Sequence, residues 1–465
     1  MDSEAQLLAE IDALFHPRSV AIVGVPRGMK AGKLFFMALL DQKFPGEIYP
    51  VSPHADEIDG FKAYPTVTAI PGPVDLAIVL VPHHLALPVV KDCAAKGVKG
   101  AILFTAGYRE TGTPEGVAMQ EELVKTARAA GMRLIGPNCM GLYAPRSGLA
   151  FFPELAREPG DIGLISHSGS LANIFCHAAP EMGLRFSKAV SLGNECDLTS
   201  ADFLLYLGRD EETRIIGAYI EGISDDARFF AALADAARRK PVIIWKVGLT
   251  AAGARAAASH TGALAGSADI WEGIVRQTGA IPVVGFEQWA DTLMGFRHLL
   301  PFTLGDRLAI LSGPGGFAVS AAEACAANGM CLAELAPEST TKLAGIVPPT
   351  GTSLRNPVDV GLTASLEIEI YIESMKIIAA DPNVDAVLII GTGLNRETNE
   401  RLAAEIIAAR GTFAKPILIV KIPGRAQDLA ESFTAAGIPF FDSAERALAT
   451  YARIRTWQRR QRVAV

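Results

Sequence analysis

The stretch Ser19-Val-Ala-Ile-Val-Gly24 is a short apolar run, rich in β-branched residues, that ends in glycine. Such a run is typical of a strand buried on both faces. Similar runs occur at Leu76-Ala-Ile-Val-Leu-Val-Pro82 and Gly100-Ala-Ile-Leu-Phe-Thr105, with a helical window from Leu87 to Lys96 between these two. Strands that alternate with helices in this way predict a parallel, doubly wound sheet that binds ligands at the carboxyl ends of its strands.

Two further blocks repeat this alternation. One begins with the predicted strand Ile162-Gly-Leu-Ile-Ser166 and the other with Arg307-Leu-Ala-Ile-Leu-Ser312, and each strand is followed by small residues and a helical window. We therefore expect an α/β protein of three domains. A Rossmann-like domain over residues 1–145 is followed by two flavodoxin-like, doubly wound domains over residues 146–300 and 301–465.

Composition excludes several classes of function. The 465 residues are half hydrophobic and one fifth charged, with a net charge of −7, which argues against binding of nucleic acid. The amino terminus is unlike a signal peptide, and no apolar run is long enough to cross a membrane. The six cysteines contain no C-x-x-C pair, and no set of residues has metal-ligand spacing. These features predict a cytoplasmic protein without a metal site or a membrane.

The turn after the first strand favours phosphate binding over hydride transfer. The stretch Gly24-Val-Pro-Arg-Gly28 is not a complete G-x-G-x-x-G motif, and the second predicted strand ends at Ser52 without an acidic residue for a ribose. Arg27, Lys30 and Lys33 can pair with phosphates at this turn. A structural turn with solvated basic residues is the alternative.

A second candidate anion site lies at Ser166-His-Ser168-Gly169-Ser170. Small residues between a strand and a helix allow backbone N–H groups and the helix dipole to bind a phosphate. A nucleophilic serine is a weaker interpretation, because the pattern lacks a glycine two residues before the central serine. A plain helix N-cap is the remaining alternative.

One histidine, His260, lies among small residues in Ala256-Ala-Ala-Ser-His260-Thr-Gly-Ala-Leu-Ala-Gly-Ser267. Its imidazole can act as a base, a metal ligand or a nucleophile, and the small neighbours let the segment move. Glu221 ends an apolar run, and a carboxylate there can fix the tautomer of His260 by accepting a hydrogen bond. The alternatives are a loop histidine without a role and an exposed glutamate at a strand end.

The third block has two motifs of open interpretation. Ser312-Gly-Pro-Gly-Gly316 joins a strand to a helix, and Asn356-Pro-Val-Asp359 follows a loop rich in Pro, Gly and Thr. Both can hold phosphate or contact another subunit. An Asx-type turn is at least as good an interpretation of the second motif.

Taken together, these motifs resemble those of the α subunit of NDP-forming acyl-CoA synthetases, which are related to succinyl-CoA synthetase. Eight landmarks occur in the family's order. They are Pro17-Arg-Ser-Val-Ala-Ile-Val-Gly24, Thr105-Ala-Gly-Tyr-Arg-Glu-Thr-Gly112, Gly136-Pro-Asn-Cys-Met-Gly141, Ser166-His-Ser-Gly-Ser170, Tyr219-Ile-Glu-Gly222, Lys246-Val-Gly248, Ser259-His-Thr-Gly-Ala-Leu-Ala-Gly266 and Arg355-Asn-Pro-Val-Asp359.

The resemblance implies a role for each block and for particular residues. The first block is expected to bind CoA, and the next two to be CoA-ligase domains. His260 matches the family's phosphorylated histidine, Glu221 its hydrogen-bonding partner, and Ser168, Gly169 and Ser170 the helix N-terminus that holds the phosphate. The residues expected on the CoA side are Gly24, Lys33, Val81, Pro82 and Asn138.

The resemblance also implies an activity. An acid–thiol ligase of this family forms acyl-CoA reversibly from a small carboxylic acid, CoA and ATP, through phosphohistidine and acyl phosphate, and releases ADP and phosphate. Nothing in the sequence resembles an ATP-grasp domain. We therefore expect a β subunit to bind ATP or ADP with Mg²⁺, in an α2β2 assembly.

Two departures from the family pattern affect these expectations. Ser52-Pro-His54 stands where relatives have Asn-Pro-Lys, which removes one lysine from the CoA phosphates. His167 stands where relatives often carry Gln or Arg. A non-catalytic CoA-binding or CoA-sensing protein of the same fold is the alternative function, although it would need neither His260 nor Glu221.

Overall fold

The computed structural model describes residues 3–255, 267–391, 395–422 and 429–463. His260 lies outside the described residues. The chain forms two compact units, which we call unit 1 (Met1–Ala179 with Arg185–Val284) and unit 2 (Pro180–Leu184 with Gly285–Val465).

The first sheet of unit 1 has five parallel strands in the order β2-β1-β5-β6-β7. The strands are β1 (Ser19–Val23), β2 (Glu47–Val51), β5 (Leu76–Val79), β6 (Gly100–Leu103) and β7 (Arg133–Ile135), with a small hairpin of β3 (Glu57–Ile58) and β4 (Phe61–Lys62). The helices are α1 (Ser3–Phe15), α2 (Ala31–Asp41), α3 (His83–Lys96) and α4 (Pro114–Ala129). Because β2 and β5 lie on opposite sides of β1, the chain changes direction there, and a crevice opens between the carboxyl ends of β1 and β5.

The second sheet of unit 1 has six strands in the order β13-β12-β11-β9-β10-β8. They are β8 (Gly141–Tyr143), β9 (Ile162–Ser166), β10 (Phe186–Ser191), β11 (Ile215–Ile220), β12 (Val242–Lys246) and β13 (Ile281–Val283). The helices are α5 (Gly169–Ala178), α6 (Ser200–Arg209), α7 (Asp226–Arg239) and α8 (Ala268–Thr278). Only β8 runs antiparallel to its neighbour within this sheet. The chain changes direction at β9, so β9 and β11 present their carboxyl ends side by side.

Unit 2 contains the third sheet, in the order β15-β14-β17-β18-β19, with β16 beside β14. Its strands are β14 (Arg307–Ser312), β15 (Cys331–Leu332), β16 (Val358–Asp359), β17 (Ala386–Ile390), β18 (Ile417–Val420) and β19 (Phe440–Phe441). Its helices are α9 (Phe286–Leu299), α10 (Gly315–Ala327), α11 (Pro337–Ala344), α12 (Glu369–Ala380), α13 (Arg396–Arg410), α14 (Ala430–Ala435) and α15 (Ala444–Val463).

The central strands are buried on both faces, as their apolar sequences predict. Every residue of β1, β5, β9, β17 and β18 is buried. Helices cover both faces of a parallel sheet. A strand whose residues are all apolar is stable only when both of its faces are covered in this way. The predicted α/β class, a Rossmann-like domain followed by two doubly wound domains, is confirmed.

Candidate active site

A cavity of about 530 Å³ lies in unit 1, where the carboxyl ends of strands from the first and second sheets meet. It is lined by Leu80, Val81, Pro82, Phe104, Thr105, Ala106, Asn138, Cys139, Met140, His167, Ser168, Gly169 and Ser170. Several residues predicted separately from the sequence therefore line one cavity. On one side are the predicted CoA residues Val81, Pro82 and Asn138, and on the other is the predicted phosphate turn at residues 168–170.

The predicted phosphate turn is the first turn of helix α5. Ser168 has extended backbone angles (φ −91°, ψ 122°), and its Oγ accepts a hydrogen bond from the N–H of Leu171 at 3.3 Å. Ser168 is therefore an N-cap, as the structural alternative held, and Ser170 Oγ lies 3.3 Å from its Oγ. The first N–H groups of a helix have no partner within it, so this cap is compatible with anion binding.

Glycine at position 169 lets another segment approach its backbone closely. A Cβ atom there would lie 2.9 Å from Cγ of Met140. The backbone N–H of Met140 in turn donates to Ser191 Oγ at 3.0 Å, which fixes this segment against the second sheet. The close approach brings the segment between β7 and β8 onto the first turn of α5.

Gly24 and Val81 lie together at the crevice between β1 and β5. Gly24 has φ +92°, and a Cβ atom there would lie 3.0 Å from Val81 Cγ1. Its N–H donates to Val51 O at 2.9 Å. Asn138 also has positive φ (+60°), and its N–H donates to Thr105 O at 3.1 Å. Both backbones are held in turns that bring them close to the cavity.

Lys33 is not among the residues that line this cavity. Its side chain is buried, and Nζ lies 2.6 Å from Asp59 Oδ2 and 5.4 Å from the centroid of the Phe36 ring. The charge of Lys33 is thus paired with a carboxylate from the turn of the β3–β4 hairpin. The sequence pattern did not reveal this partner, because Asp59 lies 26 residues further along the chain.

Glu221 follows β11 directly and is 5% exposed, so the alternative of an exposed strand-end glutamate is wrong. Its backbone N–H donates to His167 Nδ1 at 3.2 Å. Its carbonyl oxygen accepts a hydrogen bond from Lys246 Nζ at 2.9 Å. Burial, the charge of Glu221 and a hydrogen bond with it raise the pKa of the Tyr219 hydroxyl. Glu221 is therefore held among ionisable groups beside the predicted phosphate turn.

Lys246 is a residue of this site to which sequence reasoning assigned no role. It ends β12, is 8% exposed and also donates to Val247 O at 2.5 Å. Burial lowers its pKa from 10.5 to about 8, against the opposing effect of the nearby Glu221 charge. A lysine at the end of an apolar strand was the available signal, since a buried ammonium group requires partners.

His167 and Glu195 form a second buried pair at the site. His167 Nε2 lies 3.1 Å from Glu195 Oε1. This contact is an ion-pair distance, but its angle does not meet the criteria for a hydrogen bond. Glu195 Oε1 also accepts the N–H of Ser200 at 2.5 Å. Burial acts to raise the pKa of Glu195, but His167 and this N–H group outweigh it and lower the pKa. Glu195 therefore stays ionised beside the imidazole.

His260 itself is not among the described residues. In the sequence it falls between Lys246, at the end of β12, and Ser267, directly before α8. Within the described ranges, no group of three or more His, Cys, Asp or Glu side chains is arranged to hold a metal ion. No helix among the described residues is long and apolar enough to cross a membrane.

In unit 2, Asn356 has a structural role. Its side chain accepts the N–H of Ile310 at 2.9 Å and donates to Leu308 O and Ala333 O at 2.7 and 2.9 Å. Asp359 Oδ1 accepts the N–H of Gly361 at 2.9 Å, which is an Asx-type contact. These bonds favour the turn interpretation of Asn356-Pro-Val-Asp359 over phosphate binding.

Three models of protein families match the chain in succession. A CoA-binding domain matches residues 18–145, a succinyl-CoA ligase-like flavodoxin domain matches residues 159–296, and a ligase-CoA domain matches residues 308–441. Together they span each of the three sheets described above.

Full-length relatives and a solved structure agree with these matches. Acetate–CoA ligase (ADP-forming) II subunit alpha of Pyrococcus furiosus is 36% identical over 95% of this chain and 97% of its own length. Acetate–CoA ligase (ADP-forming) I of Archaeoglobus fulgidus is 36% identical over 97% of this chain, which spans 65% of that protein. The dinucleotide-forming acetyl-coenzyme A synthetase 1 of Ca. Korarchaeum cryptofilum, solved with phosphate and ADP, matches with a TM-score of 0.84 at 33% identity, over 97% of both chains.

Proposed function

Because the chain belongs to the family of ADP-forming acetate–CoA ligases, we propose roles for the predicted site residues in and around the cavity in unit 1. The chain is an ADP-forming acyl-CoA ligase of the α-subunit type, with a CoA-binding domain and two ligase domains. The predicted ligase function is thus confirmed, and the experiment below tests it against the alternative of a non-catalytic CoA-binding protein.

The CoA thiol is proposed to reach the cavity from the first sheet. Val81, Pro82 and Asn138 line the cavity on that side, and Gly24 packs directly against Val81. The cavity volume of about 530 Å³ leaves room for the narrow pantetheine arm of CoA. Lys33 is proposed to bind the phosphates of CoA. To do so, its ammonium group must leave its present partner, Asp59.

The turn Ser168–Gly169–Ser170 is proposed to hold the phosphoryl group during transfer. In the forward direction, a carboxylate oxygen of the acid attacks the phosphorus of phosphorylated His260, and the P–N bond breaks. The resulting acyl phosphate is attacked at its carbonyl carbon by the CoA thiolate, which releases phosphate and forms the thioester. The N-terminus of α5 stabilises the phosphoryl charge at each step.

Glu221 is proposed to orient His260 by accepting a hydrogen bond from one ring nitrogen, which leaves the other nitrogen free to attack phosphorus. The observation that carries the proposal is the contact between Glu221 N and His167 Nδ1 at 3.2 Å. His167 adjoins Ser168, so this contact places the proposed orienting carboxylate next to the proposed phosphate turn, in a water-restricted part of unit 1.

The homologous α subunits imply a β partner. We propose that this partner is an ATP-grasp protein that binds ATP or ADP with Mg²⁺, in an α2β2 assembly. The substrate is proposed to be a small carboxylic acid, with acetate, named for the P. furiosus and A. fulgidus relatives, as the first to test. Six free cysteines support a reducing, cytoplasmic location.

The test is reconstitution of the chain with its partner subunit. Acetate, CoA and ATP are expected to yield acetyl-CoA, ADP and phosphate in equal amounts, and His260→Asn is expected to abolish turnover. A panel of larger acids then defines the substrate class. Tight binding of CoA without thioester formation from any acid would instead support the non-catalytic alternative.

A further inference from the structure

The backbone N–H and carbonyl groups of Glu221 are each bound by a buried side chain from a neighbouring strand. In the second sheet, β11 lies between β12 and β9. His167, directly after β9, accepts the Glu221 N–H at 3.2 Å, and Lys246, at the end of β12, donates to the Glu221 carbonyl oxygen at 2.9 Å. At the end of the strand, side chains thus supply the hydrogen bonds that the backbones of neighbouring strands make within the sheet.

The hydrogen bonds of His167 define its tautomer. Because the Glu221 N–H is a donor, Nδ1 must be the acceptor, and the ring proton is then on Nε2, which lies 3.1 Å from the ionised Glu195. The backbone N–H of His167 donates to Tyr219 O at 3.1 Å, so the residue is fixed to β11 at two points. An acceptor at Nδ1 and a proton on Nε2 is the arrangement that fits these neighbours.

Lys246 contributes donors on the opposite side. Its Nζ contacts the carbonyl oxygens of Glu221 and Val247, and the N–H of Val247 donates to Ile220 O at 3.0 Å. Both contacts of Nζ are to backbone oxygens, so they fix the course of the main chain at the end of β11. The direction in which the Glu221 side chain leaves the backbone depends on that course.

We propose that His167 and Lys246 are positioning residues. They bind the backbone N–H and carbonyl groups of Glu221 and so fix the direction of its carboxylate. The inference rests on the proposed function, since it gives these residues a role through Glu221. A carboxylate displaced by about 1 Å from its productive position loses roughly 100-fold in rate. A merely structural role would lower stability without lowering the rate per folded molecule.

The test uses the ATP-independent half of the reaction. The full chain is incubated with acetyl-CoA and ³²P-labelled inorganic phosphate. Phosphate attacks the thioester and releases CoA, which gives acetyl phosphate. Histidine then takes the phosphoryl group and acetate leaves. The rate of labelling per folded molecule and the KM for acetyl-CoA are measured. Labelling of the wild type tests the proposed function itself. A wild type that is labelled neither with acetyl-CoA nor with the CoA thioesters of the other acids on the panel overturns that function and this inference with it.

A matched pair of variants isolates the hydrogen bond to Nδ1. His167→Ala and His167→Asn both lose the contact with Glu195, but Asn keeps an acceptor at the δ position. We expect His167→Ala to be labelled ~10- to 100-fold more slowly with an unchanged KM, and His167→Asn to stay within about threefold of the wild type. Equal rates for His167→Ala and the wild type, or equal losses in both variants, contradict the proposal.

Lys246 is tested with a second matched pair. Lys246→Met keeps the aliphatic stem and removes the donors, and we expect ~10-fold slower labelling. Lys188→Met is the control, because Lys188 is also buried but pairs with Asp210 and Glu212. We expect this control to be less stable and to keep the wild-type rate. A wild-type rate in Lys246→Met, or the same loss in both variants, overturns the role of Lys246.

Discussion

At the residue scale, Glu221 combines burial with a charge that the proposed mechanism requires. A buried carboxylate is costly unless other groups stabilise it, and Glu221 lies beside Lys246 and the hydroxyl of Tyr219. A packed apolar residue would stabilise the end of β11 better. The charge is therefore best explained by the chemistry proposed for the neighbouring turn at residues 168–170.

Replacing Glu221 by Gln tests the charge with little change of shape. The amide oxygen of Gln can still accept a hydrogen bond from the ring N–H of His260, but it has no negative charge to stabilise positive charge on the imidazole. We therefore expect histidine labelling to fall by at least ~100-fold. The measurement is the labelling rate from acetyl-CoA and phosphate. Glu212→Gln is the control, because Glu212 is a partly buried carboxylate paired with Lys188. An unchanged rate in Glu221→Gln would refute a role for the negative charge of Glu221.

The lowered pKa of Lys246 predicts a pH dependence of stability. The folded pKa of about 8 lies below the ordinary value of 10.5, so between these values the unfolded chain binds more protons than the folded one. The contribution of Lys246 to the free energy of unfolding therefore rises from pH 8 to pH 10.5, by on the order of 1–3 kcal/mol. Below pH 8 the full cost of the buried charge is present.

The measurement compares urea unfolding of the wild type and Lys246→Met at pH 7 and pH 10. The difference in unfolding free energy should shift in favour of the wild type as the pH rises. The comparison with the variant is needed because burial also lowers the pKa of Lys240 to about 8. A difference that stays constant between the two pH values contradicts the assigned environment of Lys246.

At the scale of secondary structure, the first βα turn depends on Gly24. Its φ of +92° and the approach of Val81 exclude a Cβ atom. We expect Gly24→Ala to lose about 1–3 kcal/mol of stability and to weaken CoA binding, measured by thermal unfolding and calorimetry. Gly273→Ala in helix α8 is the control, since its Cβ meets nothing within 4 Å, and it should be neutral or stabilising by up to ~1 kcal/mol. Equal effects at both positions would count against the turn's special geometry.

The strands of the three sheets were predictable because their signal is local. The run at Ile162–Ser166 matches β9 at both ends, and Leu76–Pro82 exceeds β5 by three residues at its carboxyl end. The helical window from Leu87 to Lys96 matches the end of α3 but misses its start at His83. The antiparallel strand β8 was not predicted, because its pairing with β10 involves residues far apart in the sequence.

The same distinction applies to the site. Ser168–Ser170 and Glu221 were predictable from motifs, but their partners come from other strands. His167 was noted only as a departure from the family, and its contacts with Glu195 and Glu221 span 28 and 54 residues. Such contacts follow from sheet order rather than from any local pattern, so sequence reasoning could propose the reacting groups but not the residues that hold them.

At the scale of the whole molecule, the account requires that the chemistry of this chain be separable from ATP. The CoA-binding domain, the phosphate turn and Glu221 all lie in unit 1. A relative named as an α subunit matches this chain over nearly its entire length. We therefore expect phosphorylation from acetyl-CoA and phosphate to proceed without ATP, whereas phosphorylation by ATP requires the partner.

The most direct measurement is the labelling of the full chain by acetyl-CoA and ³²P-labelled phosphate, followed by location of the label. The account predicts one acid-labile phosphoryl group per chain on His260, and none in His260→Asn. A label of equal size in His260→Asn, or a label that is stable to acid, would contradict the phosphohistidine mechanism.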